Sequence, residues 1–84
     1  MIVFPGIKMG CHAELLAIAE TGRIIAKPAA LTMAEAGCMM FGGLTALDFL
    51  RRQAGLAQGE RLPVNGASGT VGSAAVQVGR LLGA

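Results

Sequence analysis

Three glycines, at positions 66, 69 and 72, constrain this chain more than any other feature. They fall in the run Gly66-Ala67-Ser68-Gly69-Thr70-Val71-Gly72. Before it, Glu60 to Asn65 reads as a short strand. After it, Ser73 to Leu82 reads as an apolar helix with Gln77 and Arg80 on its polar side and Gly83 as its cap. Strand, glycine turn and helix, in that order, open a βαβ unit. A dinucleotide pyrophosphate suits such a turn for two reasons. Small side chains let the backbone come close, and the N–H groups at the helix start point at the phosphates, where the dipole favours negative charge. Ala67, Ser68, Gly69, Thr70 and Val71 would line the turn, and Gly72 would let the helix lie close on the strand. Against the G-x-G-x-x-G fingerprint, Ala67 replaces the first glycine. A glycine-rich turn without a ligand is the competing reading. No Lys-Ser or Lys-Thr follows the last glycine, so the P-loop pattern is not met.

The rest of the chain reads as short strands followed by one long helix. Met1 to Phe4 is a β-type run cut by the turn dipeptide Pro5-Gly6. Cys11 to Ile18 reads as a half-buried strand, Thr21-Gly22 as a turn, and Arg23 to Ala26 as a strand ended by Pro28. Thr32-Met33-Ala34-Glu35 fits the capping box and starts a helix over 32–54. Gly42-Gly43 weaken that helix by about 1 kcal/mol each relative to alanine and suggest a break or a close approach. Gly55 reads as its C-terminal cap.

Composition narrows the class. The chain has 84 residues, is 54% hydrophobic and only 14% charged, against an ordinary charged share of about 25%. Disorder needs the opposite balance. A net charge of +2, with Arg51-Arg52 as the one basic pair, gives no nucleic-acid stripe. The longest charge-free run, Leu62 to Gly79, is broken by Pro63 and four glycines and does not read as a membrane span. The expectation is a cytoplasmic protein with Cys11 and Cys38 reduced, and no membrane or nucleic-acid partner. So short a chain buries only about 60–65% of its unfolded surface, which makes an independent core marginal.

Taken together, the segments resemble the medium-chain dehydrogenase/reductase superfamily in its zinc-independent quinone-oxidoreductase branch. The resemblance covers nearly all of the chain. It runs through Val3-Phe4, Gly10-Cys11-His12-Ala13-Glu14, Ala26-Lys27-Pro28-Ala29-Ala30-Leu31-Thr32, Gly43-Leu44-Thr45-Ala46-Leu47, Gly59-Glu60-Arg61 and Val64 to Gln77. The fold it implies is α/β. Residues 1–31 would end a GroES-like β-barrel catalytic domain, 32–58 would form a connecting helix, and 60–84 would give the first strand–turn–helix of an NAD(P)-binding Rossmann domain. On this resemblance the chain is a slice across a domain junction, with most of both domains outside it.

The same resemblance implies an NADP or NAD cofactor, with NADPH favoured, and hydride transfer to a quinone, enone or related carbonyl. Thr45 matches a family threonine near the nicotinamide ring; a mid-helix threonine bonding its own backbone is the alternative. The cofactor-binding set is therefore Thr45, Ala67, Ser68, Gly69, Thr70, Val71 and Gly72. No catalytic residue is assigned. The zinc-dependent branch has a cysteine four residues before that threonine. Here Phe41 stands there, so no metal is expected. Cys11 and Cys38 read as buried small hydrophobes, His12 as a packed or strand-surface histidine, Met39-Met40-Phe41 as core, Arg51-Arg52 as a solvated face, and Lys27 as a loop residue with no role. Pro63 departs from the pattern, because proline lacks the N–H that a central strand needs.

Two other readings stand beside this one. The chain could be a truncated, non-catalytic product that associates with other chains through apolar surface, homo-oligomers included. It could also belong to an enoyl-reductase or alcohol-dehydrogenase branch of the same superfamily. The isolated chain is expected to be inactive as an enzyme.

Overall fold

The computed structural model describes residues Met1 to Ala84. Its elements are β1 (Ile2–Val3), a 3-10 turn (Gly6–Lys8), β2 (Ile24–Ile25), α1 (Met33–Leu47), a π-helical segment (Asp48–Gln53) and α2 (Thr70–Leu81). Contacts divide the chain into two compact units, Met1–Gly37 and Cys38–Ala84.

In the first unit, β1 and β2 form a two-stranded antiparallel ribbon in which Ile2 faces Ile25 and Val3 faces Ile24. The Phe4 amide extends it by donating to the Arg23 carbonyl at 3.0 Å. The Arg23 guanidinium lies 5.9 Å from the centre of the Phe4 ring, within cation–π range. Pro5 precedes the 3-10 turn, and Gly6 adopts φ +67°. The turn expected at Thr21-Gly22 is present, closed by Gly22 N–H to the Ala19 carbonyl at 2.8 Å. Cys11 to Ile18 is a bend followed by irregular chain, not a strand.

The long helix begins as its sequence prescribes. The Thr32 amide donates to Glu35 Oε1 and the Glu35 amide donates to Thr32 Oγ1, both at 3.1 Å. This is the reciprocal capping box. The Thr32 amide first, and its side chain second, hold the Glu35 carboxyl below the usual carboxylate range. Gly42-Gly43 do not break the helix. At Asp48 it widens instead: the Ala54 amide donates to the Phe49 carbonyl, five residues back, at 2.8 Å. Asp48 straddles both spacings, accepting from Arg52 at 3.0 Å and from Gln53 at 2.8 Å. Gly55, at φ +62°, turns the chain away just past the end.

α2 starts three residues earlier than the sequence suggests, because Thr70, Val71 and Gly72 are already helical. Its C-terminus is a Schellman motif. The Gly83 amide donates to the Arg80 carbonyl at 3.1 Å and the Ala84 amide to the Gly79 carbonyl at 3.0 Å, with Gly83 at φ +88°.

The expected α/β architecture is not what forms. There is no GroES-like barrel. Two strands of two residues each cannot close a sheet on itself, and the third candidate strand, Cys11 to Ile18, pairs with nothing. Nor is there a Rossmann strand–turn–helix. Glu60 to Asn65 makes no ladder, and Pro63 brings no N–H to one. What forms is a small mixed fold with two helices and one ribbon. Its buried apolar residues are Ile2, Ala36 and Ala46.

Candidate functional site around the glycine turn

The segment before α2 keeps the alternation of a strand without its pairing. Leu62 and Val64 are half-buried, while Arg61, Pro63 and Asn65 are exposed. Leu62 and Val64 lie with Val76 and Gly79 of α2 around a small hollow of about 140 Å³. Gly79 is buried, and a β-carbon there would come 2.7 Å from Leu62 Cδ2. The segment is thus held by side chains on the helix rather than by backbone bonds.

The three glycines of the turn have three different jobs. Gly66 takes φ +77°, a left-handed conformation that only glycine adopts freely. Gly72 faces back onto the turn: a β-carbon there would lie 2.8 Å from the Gly66 carbonyl carbon, closer still to its oxygen, and 2.9 Å from Ala67 Cα. Gly69 is different. It has an ordinary extended backbone, φ −76° and ψ 171°, and its nearest neighbour to a β-carbon would be the Gly66 oxygen at 3.5 Å. The chain's own packing explains glycine at 66 and 72, but not at 69.

Gly69 is also the residue that starts α2, and it has no side chain with which to cap it. The Gly69 amide donates to the Gly66 carbonyl at 3.1 Å, and the Ser73 amide to the Gly69 carbonyl at 2.8 Å. Between them, the amides of Thr70, Val71 and Gly72 have no backbone or side-chain acceptor. Ala67, Ser68, Gly69 and Thr70 are exposed, with Val71 and Gly72 half-buried. Three unengaged N–H groups at a helix start can accept one anion, which the dipole also favours. No carboxylate follows Glu60; Arg61 and Arg80 are the only charged side chains from there to Ala84.

α1 reaches this turn through Gly42. A β-carbon on Gly42 would lie 2.9 Å from Thr70 Oγ1 and closer to the Thr70 carbonyl. The close approach suggested by Gly42-Gly43 is therefore real at 42, while Gly43 has nothing within 4 Å. Thr45 sits one helical turn beyond Gly42. Its hydroxyl donates to the Phe41 carbonyl at 2.6 Å, which commits the proton and leaves the oxygen lone pairs. The six turn residues are brought together, and Thr45 is on the helix that meets them at Thr70 through Gly42, without a hydrogen bond of its own to the turn.

Other singled-out residues fall elsewhere than expected. Cys11 and Cys38 are exposed thiols, not buried hydrophobes. Cys11 lies in irregular chain and Cys38 on α1. Met39 and Phe41 are exposed, Phe41 at 62%, because nothing covers that side of α1. His12 is on an exposed bend. Lys27 does have a role that its loop position concealed: its ammonium donates to the Pro28 and Leu31 carbonyls, closing the turn that leads into α1. No group of three His, Cys, Asp or Glu side chains is clustered as metal ligands would be. One helix, Met33–Gln53, is long and apolar enough to cross a membrane by length and composition.

Comparison with family models, curated proteins and solved structures finds no match to this chain.

Proposed function

We propose that the turn at 66–72 binds the pyrophosphate of a nicotinamide dinucleotide, and that the chain contributes this contact to an NAD(P)H-dependent oxidoreductase of the zinc-independent quinone-reductase type. The observation that carries the reading is Gly69. It precedes three unengaged amides, and nothing in the chain itself needs it to lack a side chain. A phosphate drawn onto those amides supplies the reason, because a β-carbon at 69 would stand in its path.

In this reading the amides of Thr70, Val71 and Gly72 donate to phosphate oxygens, with the Ser68 and Thr70 hydroxyls within the same exposed turn. Ala67 keeps the approach low. Thr45, tied to the turn through the Gly42–Thr70 contact, offers its oxygen lone pairs toward the cofactor. The bound nicotinamide supplies the hydride, and the protein supplies position and electrostatics. The acceptor is a quinone, enone or related carbonyl, and the location is cytoplasmic. No titratable side chain other than Arg61 and Arg80 lies between residues 61 and 84. The turn therefore binds without acting as acid or base, and the isolated chain turns over no substrate.

The test is a titration of the 84-residue chain with NADPH, followed by backbone amide NMR. A helix start contributes up to about 2 kcal/mol to an anion, so weak binding, with a dissociation constant of roughly tens of millimolar, is expected. Shifts confined to 66–72 support the reading. Shifts spread evenly over the chain, or none, contradict it.

A further inference from the structure

α1 meets the start of α2 at Gly42. Gly42 is buried, and it and Thr70 belong to the same compact unit, Cys38–Ala84. A β-carbon on Gly42 would lie 2.9 Å from both the Thr70 carbonyl carbon and Thr70 Oγ1, and closer still to the carbonyl oxygen. Real side chains essentially never come so near, so only glycine allows this approach. The continuation of the helix, Asp48–Gln53, also packs on α2. The long helix therefore backs α2 in two places.

The Thr70 carbonyl carbon and oxygen form one rigid plane with the Val71 N–H, because the peptide bond does not rotate freely. In a trans peptide the N–H points opposite to the C=O, so tilting one tilts the other. Val71 carries the middle one of the three unengaged amides, those of Thr70, Val71 and Gly72. The same Thr70 carbonyl accepts from the Ser73 hydroxyl at 3.3 Å. The plane is thus held by a contact from α1 and by a hydrogen bond from within α2. Hydrogen bonds weaken steeply as they bend. The tilt of this plane decides how well the Val71 N–H meets an oxygen that its two neighbours also hold.

We infer that Gly42 is a positioning residue for the phosphate turn. Its lack of a side chain lets α1 fix the Thr70–Val71 peptide at the tilt that aligns the Val71 N–H with its neighbours on one anion. The inference rests on the reading of 66–72 as a pyrophosphate turn, and makes α1, outside that turn, a determinant of its affinity.

The test is a titration of the full chain with inorganic pyrophosphate, followed by amide NMR, as wild type, Gly42→Ala and Gly43→Ala. Before ligand is added, the residual dipolar coupling of the Val71 N–H reports the direction of that bond. Gly42→Ala should change this coupling. It should also raise the pyrophosphate dissociation constant about threefold, the share of one amide in three of what a helix start gives an anion. Gly43→Ala, on the same helix with nothing within 4 Å, should change neither. Circular dichroism shows whether each variant stays helical. Should Gly42→Ala lose its helices, the wild-type chain decides. Coupling is reciprocal, so pyrophosphate should shift the Gly42 amide with the same dissociation constant as Val71.

Wild-type affinity or an unchanged Val71 coupling in a folded Gly42→Ala chain overturns the inference and leaves the turn reading standing. So does an equal loss in Gly43→Ala, or a Gly42 amide that stays still while Val71 moves. A wild-type chain whose turn amides ignore pyrophosphate removes the turn reading and the inference together.

Discussion

Gly72 faces the carbonyl of Gly66 so closely that no side chain fits between them. This one relationship folds the turn back on the first residues of α2 and sets where the free amides point. Gly72→Ala must push the two apart. Forcing extra volume into such a contact costs about 1–3 kcal/mol. Urea unfolding of the variant should show a lower midpoint with an unchanged slope. An unchanged midpoint would mean that the close approach is not a feature of the folded chain.

The paired glycines of α1 should respond to alanine with opposite signs. At Gly43 nothing lies within 4 Å, so Gly43→Ala gains the ordinary helix preference of about 1 kcal/mol. At Gly42 a β-carbon would press on Thr70 backbone, and the overpacking cost of about 1–3 kcal/mol outweighs that gain. Thermal melts of the two variants should move in opposite directions. Two upward shifts would place α1 away from Thr70.

The capping box should make α1 sensitive to acid. Glu35 titrates below its ordinary value in the folded chain, because the Thr32 amide and side chain bond its charged form. A depressed carboxylate stabilises above its unfolded pKa, about 4.3, and that contribution is lost as pH falls through the lower folded value. Helical circular dichroism should therefore decline on acidification from neutral pH. Glu35→Gln keeps the reach back to Thr32 and should flatten that profile. A wild-type profile that is already flat would contradict the bond.

How much of this was legible before the structure depends on the range of the signal. Local signals held. The Thr32–Glu35 box, the Thr21-Gly22 turn and the Gly55 and Gly83 caps each arise within a few residues and need no distant partner. The Gly42 approach was legible as a question, since paired glycines in a helix call for a neighbour, but not that Thr70 is the neighbour. The barrel and the βαβ opening failed because a strand is a property of pairs. Leu62 and Val64 alternate correctly with Pro63 and Asn65, yet there is no second edge to pair with. Phe41 and the two thiols are exposed for the same reason: apolar composition leads to burial only where a second surface is there to cover it. The π-helical widening at Asp48 had no local signature, apart from an acid placed to meet both Arg52 and Gln53.

Gly69→Val separates the fold of the turn from its proposed use. The position has room for a β-carbon and an ordinary backbone, so the variant should stay folded, with the melting temperature lowered by no more than about 8 °C because valine caps α2 less well than glycine. NADPH binding should nevertheless be lost. Equal affinity in the variant would remove the reason offered for glycine at 69.

The most direct test of the account is the amide NMR titration with NADPH, run beside one with NADPH-free inorganic pyrophosphate. The account predicts that both ligands shift the amides of Thr70, Val71 and Gly72 in the same direction, in the wild-type chain and not in Gly69→Val. If those three amides stay still while the ligand concentration passes through roughly tens of millimolar, the turn at 66–72 is a structural turn and the proposed cofactor contact is wrong.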